Sequence, residues 1–344
     1  MRAFVTGGTG LLGNNLVRAL LAEGYAVRAL VRSRAKAGRQ FAGLNVELVE
    51  GDMADVAGFA AQLQGCEVLF HTAAYFREYY GPGDHWKTLE AINIRGTLGV
   101  LGEAERRGVR RAVYVSSSGT IHSEPGKPGD ETTIARPEAL GNLYFRSKAV
   151  ADLEVAKFLH TSGLEVVTVM PGWMFGPGDA APTNAGDLVL RFVRRQLPVL
   201  IDGGATVADA RDVAAAMIAA VRRGRSGQQY AVAGRFMNLT DWARLMQQVS
   251  GVPAPRLRPP QAVLEAVAWA GEAAARLTGQ TPQLPLEGIR TLHAKHLISS
   301  TKAERELGAS FRPLEETLRD TYQWFRANGY LEGGSAGQRV EGSG

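Results

Sequence analysis

Short apolar, β-branched runs alternate with longer amphipathic or alanine-rich stretches through the first 170 residues. The runs predict six buried strands, and the stretches between them predict helices such as Leu12–Glu23, Trp86–Arg107 and Phe145–Ser162. The predicted strands are Ala3–Thr6, Ala26–Val31, Val46–Val49, Val68–His71, Ala112–Ser116 and Val166–Met170. This alternation indicates an α/β fold with a doubly wound parallel sheet that holds its ligands beyond the carboxyl ends of the strands.

The rhythm changes after Pro171, where prolines cluster and helical patterns dominate. Helices are predicted at Ala208–Arg223, Leu239–Val249, Pro260–Leu277 and Leu314–Asn328, with short strands at Val199–Ile201, Gln228–Val232 and Leu297–Ser299. We therefore expect a dinucleotide-type domain at 1–170 and a smaller, mostly helical substrate lobe at 171–330, with segment swaps between the two. A Gly- and Ser-rich tail at 331–344 is expected to be disordered.

Composition narrows the function classes. The 344 residues contain no apolar run of membrane-spanning length, so no membrane partner is expected. A single cysteine, Cys66, is typical of a reducing compartment and favours the cytoplasm. The formal charge of +5 is spread over scattered arginines, which disfavours a nucleic-acid partner, and the six histidines lack metal-ligand spacing.

A glycine-rich turn joins the first predicted strand to the first predicted helix. It has the sequence Thr6-Gly-Gly-Thr-Gly-Leu-Leu-Gly13. Gly7 allows a tight turn, Gly10 allows close approach of a pyrophosphate, and Gly13 allows the helix to pack closely on the strand. The unpaired N–H groups of the helix would bind the phosphates, so the turn predicts dinucleotide binding on a Rossmann fold.

The end of the second predicted strand bears on the choice of cofactor. An acidic residue there usually binds the ribose hydroxyls of NAD, whereas this chain has Arg32, Ser33 and Arg34. Arginines can bind a 2′-phosphate, so NADP is predicted and NAD is the less favoured alternative. Asp52, after the third strand, is placed to accept a hydrogen bond from the adenine amine.

Candidate catalytic chemistry lies in two segments. Tyr144 and Lys148 are four residues apart and would share one helix face, where the ammonium would stabilise a phenolate whose ordinary pKa is about 10. Ser116, Ser117 and Ser118 follow the fifth predicted strand, where a hydroxyl could hold a substrate oxygen.

These features occur in an order that resembles the extended short-chain dehydrogenase/reductases of the epimerase/dehydratase superfamily. The resemblance covers about residues 1–330 and rests on eight marks: the glycine turn, Gly51-Asp52, His71-Thr-Ala-Ala74, Asn93-x-x-Gly-Thr97, the serines, Tyr144-x-x-x-Lys148, Pro171-Gly172 with Gly176-Pro-Gly178, and Asp212-Val-Ala214. The segment Val27-Arg-Ala-Leu-Val-Arg32 looks like the dihydroflavonol-reductase-like branch, which reduces ketones or aldehydes.

The resemblance implies a role for each matching residue. Tyr144 would be the general acid/base, Lys148 would hold the nicotinamide ribose, and Ser117 would polarise the reacting oxygen, with Ser118 as the alternative. Contacts to the cofactor would come from Thr6, Gly7, Gly10, Leu11, Leu12, Gly13, Arg32, Asp52, Ala73, Lys148 and Pro171. The implied assembly is a homodimer formed by the helices near 86–107 and 145–162.

The expected substrate class follows from positions at which this chain differs from the nucleotide-sugar enzymes of the family. Nucleotide-sugar enzymes usually have an asparagine where this chain has Trp173, and an arginine in the stretch that here reads Gly204-Ala-Thr-Val-Ala208. Tyr75, His85 and Trp86 are further candidates for the pocket, as are Phe76, Arg77, Tyr79 and Tyr80. We expect a reductase or dehydrogenase of a small carbonyl or alcohol compound. A nucleotide-sugar epimerase or dehydratase and a non-catalytic dinucleotide sensor remain alternatives.

Overall fold

A parallel sheet forms the centre of the molecule. The computed structural model describes residues 1–76, 85–124, 126–278 and 286–331. Within them, seven parallel strands lie in the order β3-β2-β1-β4-β5-β6-β9. These are β1 (Arg2–Thr6), β2 (Ala26–Val31), β3 (Val46–Glu50), β4 (Val68–His71), β5 (Arg111–Val115), β6 (Glu165–Pro171) and β9 (Gln229–Val232). The strand order reverses between β1 and β4, which is where such sheets bind their ligands.

Helices cover both faces of this sheet, and the predicted doubly wound fold is confirmed. The first half contributes α1 (Leu11–Ala22), α2 (Arg34–Gln40), α3 (Val56–Phe59), α4 (Trp86–Leu89), α5 (Thr97–Arg106) and α6 (Leu143–Leu159). A π-helical segment, Glu90–Gly96, joins α4 to α5. Leu16 and Leu20 of α1 pack on one face of the sheet, and Leu101 of α5 packs on the other.

A second, three-stranded sheet lies in the C-terminal half. It consists of β7 (Trp173–Phe175), β8 (Gly204–Asp209) and β10 (Arg235–Asn238) in the order β10-β8-β7. The helices of this half are α7 (Asn184–Val193), α8 (Ala210–Arg223), α9 (Leu239–Ser250), α10 (Gln261–Thr278), α11 (Leu286–His293), α12 (Thr301–Leu307) and α13 (Leu314–Ala327). Of these elements, α8 packs against α1 and β9 completes the large sheet, so the chain crosses back into the first layer after residue 171.

Two predicted strands of the second half are wrong. Val199–Ile201 has no regular structure; its apolar side chains pack against Leu264 and Ile289 of α10 and α11 instead. Leu297–Ser299 forms only an isolated bridge between Ile298 and Gly129. All of the predicted tail except its first residue lies outside the described residues.

A buried ion-pair network fixes α13 to the rest of the second half. The fully buried carboxylate of Asp209 lies 2.7 Å from the guanidinium of Arg211, which also contacts Asp320 on α13. Arg312 binds Asp212 at 2.6 Å just before α13 begins. Breaking one partner of such a pair leaves an uncompensated charge, so this network fixes how the C-terminal helix seats.

Candidate active site

The glycine turn can form only because two of its positions have no side chain. Gly7 has a positive φ of 68°, and a Cβ there would lie 2.8 Å from the backbone nitrogen of Ala73. A Cβ on Gly13 would lie 2.1 Å from the carbonyl oxygen of Gly7. Gly10 precedes the first turn of α1, whose N–H groups have no intrahelical partners. The turn therefore presents backbone donors to the cavity that a dinucleotide phosphate would fill.

Basic side chains surround the cavity end next to α2. Arg32, Lys36 and Arg39 line it, and Ser33 caps α2 by accepting a hydrogen bond from the backbone nitrogen of Lys36. Arg34, which the sequence placed beside Arg32, is not among the lining residues; its guanidinium lies 3.8 Å from Glu50. Lys36 and Arg39 were not predicted to contribute; they follow Arg32 by four and seven residues and line the same cavity.

Tyr144 and Lys148 lie on the first two turns of α6. Asn142 caps this helix by accepting a hydrogen bond from the backbone nitrogen of Phe145, which fixes where the helix begins. Tyr144 lines the cavity and contacts the Phe76 ring edge-on at 4.6 Å. Lys148 is buried, also lines the cavity, and donates a 2.8 Å hydrogen bond to the carbonyl oxygen of Val115 at the end of β5.

A carboxylate that the sequence reading did not single out lies behind this lysine. Asp152 is one helical turn beyond Lys148 on α6, is buried, and accepts a 2.6 Å hydrogen bond from the Ser116 hydroxyl. Burial lowers the pKa of Lys148, and the Asp152 carboxylate opposes that shift. Burial likewise raises the pKa of Asp152, opposed by the Ser116 hydrogen bond and by Lys148. The i, i+4 spacing from Lys148 is the sequence signal that would have revealed Asp152.

The three serines have different surroundings. Ser116 is committed to Asp152, whereas the Ser117 hydroxyl accepts a 3.1 Å hydrogen bond from the backbone nitrogen of Gly119. That bond leaves the Ser117 hydroxyl proton available to another acceptor. Ser117 and Ser118 both line the cavity, so the structure brings both candidates to the same site as Tyr144.

A buried hydrogen-bond chain connects the glycine turn to α5. Thr97 donates to the carbonyl oxygen of Asn93 at 2.7 Å, so its hydroxyl can only accept from His71 Nε2 at 3.0 Å. His71 Nδ1 then accepts from the Thr6 hydroxyl at 2.7 Å, and that hydroxyl accepts from the backbone nitrogen of Ala73 at 3.2 Å. Burial lowers the pKa of His71 to about 3, so the ring stays neutral.

Asn93 in the π-helical segment holds the loop that follows β4. Its Oδ1 accepts from the backbone nitrogen of Tyr75 at 2.7 Å, and its Nδ2 donates to the Tyr75 carbonyl oxygen at 3.1 Å. Nδ2 also donates to the Ser147 hydroxyl, which in turn donates to the carbonyl oxygen of Tyr144. The loop is thereby tied to the helix that carries Tyr144.

The remaining residues that were predicted to contact cofactor or substrate fall into two groups: those that line the cavity and those that do not. One cavity of about 3140 Å³ contains Gly7, Gly10, Leu11, Leu12, Gly13, Arg32, Asp52, Ala73 and Pro171 in its wall, together with Tyr75 and Trp173. Thr6 lies behind the wall, in the His71 chain. His85 and Trp86 are not among the lining residues: His85 bonds the Tyr75 hydroxyl at 2.7 Å, and Trp86 lies under the Arg146 guanidinium. The predicted pocket residues Arg77, Tyr79 and Tyr80 lie outside the described residues.

The described cavity wall includes a large apolar group of residues. They come from the loop before β8 and from α10 and α11: Leu197, Pro198, Val199, Leu200, Ile201, Val263, Leu264, Val267, Ala268, Ile289 and Leu292. Asp187 and Arg191 of α7 add one acidic and one basic side chain to this wall. Ala205 and Thr206, from the stretch in which nucleotide-sugar enzymes usually carry an arginine, also line the cavity.

A glycine turn for a dinucleotide and a Tyr–Lys pair with a buried lysine line one cavity, and together they define an oxidoreductase of the short-chain dehydrogenase/reductase type. The chain belongs to the NAD-dependent epimerase/dehydratase family, whose family model matches residues 3–233. The predicted resemblance to the extended branch of this superfamily is thus confirmed, and its members use NAD or NADP.

The chain is similar to proteins of several names. A Synechocystis protein provisionally named as a dihydroflavonol 4-reductase is 34% identical over 337 residues, 96% of each chain. Sterol demethylase protein B of Methylococcus capsulatus is 32% identical over 333 residues, covering 96% of this chain and all of the relative. The crystal structure of gox2253 is 32% identical and superposes with a TM-score of 0.82, covering 96% of this chain and 99% of the other.

Two further features concern the described residues alone. None of their helices combines the length and the apolar character that crossing a membrane requires. No group of three or more His, Cys, Asp or Glu side chains among them could hold a metal ion.

Proposed function

We propose that this protein is an NADP(H)-dependent reductase that acts reversibly on the carbonyl or alcohol carbon of a small apolar compound. The observation that carries the proposal is the composition of one cavity wall. It contains the basic residues Arg32, Lys36 and Arg39, the glycine turn with Tyr144, and a large group of apolar side chains together with Trp173. Each part matches one component: a phosphorylated cofactor, a proton donor and an apolar substrate.

The choice of NADP rests on three basic side chains, one just after β2 and two on α2. Arg32, Lys36 and Arg39 would bind a 2′-phosphate through charge-assisted hydrogen bonds, each contributing about 1.5–3 kcal/mol. NAD would leave these cations without that partner. The same cavity end has no carboxylate at position 32, where NAD enzymes bind the ribose hydroxyls.

The chemistry follows from Tyr144, Lys148 and Ser117. The bound nicotinamide would supply the hydride. Tyr144 would donate its hydroxyl proton to the carbonyl oxygen, while Ser117, or Ser118 in its place, would donate a hydrogen bond to the same oxygen. Lys148 would stabilise the resulting phenolate and reach the nicotinamide ribose. An intact Tyr–Lys pair beside the glycine turn argues against a non-catalytic dinucleotide sensor.

The substrate assignment rests on the absence of a cation at Ala205 and Thr206 in the cavity wall. A diphosphate taken out of water needs cationic partners, because unpaired burial costs several kcal/mol. Ala205 and Thr206 supply none, and Trp173 supplies an apolar ring surface. The names of two relatives, a dihydroflavonol reductase and a sterol demethylase protein, also refer to ring-bearing compounds.

A nucleotide-sugar epimerase is the second candidate, and one observation favours it. Arg191 lies in the cavity wall and could face a pyrophosphate. Asp187, one turn earlier on the same helix, lies in the same wall and would repel that anion. We therefore rank the reductase first.

Thermal unfolding with added ligands separates the two candidates. We expect NADPH to raise the Tm more than NADH, and apolar ketones to raise it further in the presence of NADP⁺. Uridine and thymidine diphosphates should leave it unchanged. A clear rise with a nucleoside diphosphate sugar and none with carbonyl compounds would establish the epimerase instead.

A further inference from the structure

Exposed large apolar side chains concentrate on one part of the second half. Leu257, Val263, Val267 and Trp269 are 61%, 50%, 59% and 67% exposed. They are four of the seven exposed large hydrophobic residues among the described part of the chain, the others being Met1, Leu153 and Phe236. Three of the four lie on α10 and Leu257 lies just before it, and a cluster of this kind indicates an interaction surface.

Helix α10 is apolar on its exposed side as well as on its buried side. Leu264 and Ala268 are buried against Ile289 of α11. The opposite side of the first three turns is exposed and contains no charged residue: Ala262, Val263, Ala266, Val267, Trp269 and Ala270. We call these six residues the α10 surface. Glu265 lies to one side, where Gln261 and Arg290 bind it.

Positive charge borders the α10 surface. Arg256 and Arg258 flank Leu257 just before the helix, and all three are exposed. Neither arginine forms a salt bridge with a described residue, and Arg258 is near enough to the exposed Asp202, which is paired with Lys295, to help lower the pKa of that carboxyl. An apolar face that ends in exposed arginines complements a surface with an apolar interior and anionic groups at its boundary.

The α10 surface also adjoins the mouth of the cavity. Val263 and Val267 are exposed and line the cavity at the same time, whereas Trp269 and Ala266 lie outside it. A partner bound to this surface would therefore lie next to the apolar residues of the cavity wall.

We propose that the α10 surface binds to the surface of an anionic lipid bilayer. Trp269 and the valines would enter the headgroup boundary, and Arg256 and Arg258 would contact lipid phosphates. A second copy of the chain fits less well, since two-fold contact would bring four arginines together without a carboxylate on the face to pair them. The proposal concerns location and does not depend on the reaction that the site catalyses.

This proposal departs from the expectation that the protein has no membrane partner. That expectation followed from the lack of a long apolar run, which bears on spanning helices only. Surface binding needs one apolar face and adjacent basic residues, a pattern that α10 satisfies only once its packing against α11 is known.

Flotation of the full-length protein with lipid vesicles tests the proposal. We expect binding to vesicles of phosphatidylcholine with phosphatidylglycerol at low salt, weaker binding at high salt, and none to phosphatidylcholine alone. Ala266→Glu should weaken binding on the order of tenfold by placing a charge in the apolar boundary. Arg256→Gln and Arg258→Gln should each weaken it about fivefold.

Ala215→Glu is the matched control, because Ala215 is an exposed alanine on α8, away from the surface. It should bind vesicles like the wild type, and the Tm of every variant should confirm folding. Absence of binding to anionic vesicles at low salt would overturn the proposal, as would equal losses for Ala266→Glu and Ala215→Glu. Association between copies that Ala266→Glu abolishes would also overturn it and assign the surface to a second chain.

Discussion

The hydroxyl of Ser116 donates a 2.6 Å hydrogen bond to the carboxylate of Asp152, and both groups are buried behind Lys148. The hydroxyl of Tyr114 lies beside the same carboxylate, and the Lys148 ammonium lies 5.2 Å from the centre of the Tyr114 ring. A buried ammonium needs a nearby anion to stay charged, and Asp152 is placed to supply it.

Replacing Asp152 with Asn should therefore move the pH dependence of catalysis. Without the carboxylate, burial lowers the pKa of Lys148 further, so the lysine loses its charge at lower pH. We expect the alkaline fall in kcat to begin about 1–3 pH units lower than in the wild type. Glu154→Gln, which removes a half-buried carboxylate paired with Lys157 on the same helix, is the control and should leave the pH profile unchanged. Coincident profiles for Asp152→Asn and wild type would exclude this role.

The neutral His71 ring should make stability depend on pH in one defined window. Its pKa is lowered to about 3 by burial, with a contribution from Lys148, while the unfolded chain retains a value near 6.5. A depressed pKa stabilises the fold above the unfolded value, and this stability is lost as pH falls toward 3. The free energy of unfolding should fall by up to about 1.4 kcal/mol per pH unit from this group.

Urea unfolding of His71→Gln checks the assignment. Glutamine can donate to Thr97 and accept from Thr6 but does not titrate, so the variant should lose stability less steeply than the wild type between pH 6 and 4. Parallel pH dependences for the two proteins would show that the histidine does not carry this effect.

The basic cavity residues Arg32, Lys36 and Arg39 predict the cofactor preference. Arg32→Asp should reverse the preference from NADPH to NADH, because the carboxylate repels a 2′-phosphate and can bind ribose hydroxyls. Arg34→Asp is the matched control, since Arg34 faces Glu50 rather than the cavity, and its effect should be much smaller. Calorimetry decides: equal affinities of the wild type for NADPH and NADH would contradict the assignment.

The homodimer implied by the family resemblance has a direct test on α6. Leu153 is 52% exposed on that helix, on the side away from the sheet. Leu153→Glu should shift the sedimentation of the protein from dimer to monomer, whereas Ala215→Glu should not. Sedimentation of the wild-type protein as a monomer would contradict the predicted homodimer.

The large sheet was predictable because its strands are buried on both faces. Such strands appear as unbroken β-branched runs, and Ala26–Val31 and Val68–His71 match the observed bounds. The strands β7, β8 and β10 were missed. They are short, and Gly204, Ala205 and Asn238 have weak strand propensity, so only their long-range pairing makes them strands.

The parts of the site that depend on one local motif were predictable from the sequence. The glycine turn and the Tyr144–Lys148 pair depend on local spacing, and the structure places both on one cavity. Asp152, Lys36 and Arg39 were not predicted. Their part in the site depends on which face of their helix is turned toward the cavity, and local spacing was not used to predict that face. His85 and Trp86 were expected in the pocket because they are aromatic and close in sequence; His85 bonds Tyr75, Trp86 contacts Arg146, and neither is among the described residues that line the cavity.

Turnover of NADPH with apolar ketones and aldehydes tests the central claim most directly. We expect the wild type to oxidise one NADPH for each alcohol formed. Tyr144→Phe keeps the ring but lacks the transferable proton, so it should lower kcat by about 10²–10⁴-fold and leave the Kd of NADPH nearly unchanged. Lys148→Met should impair both. Wild-type turnover by Tyr144→Phe, or a product formed without net oxidation of NADPH, would contradict the account.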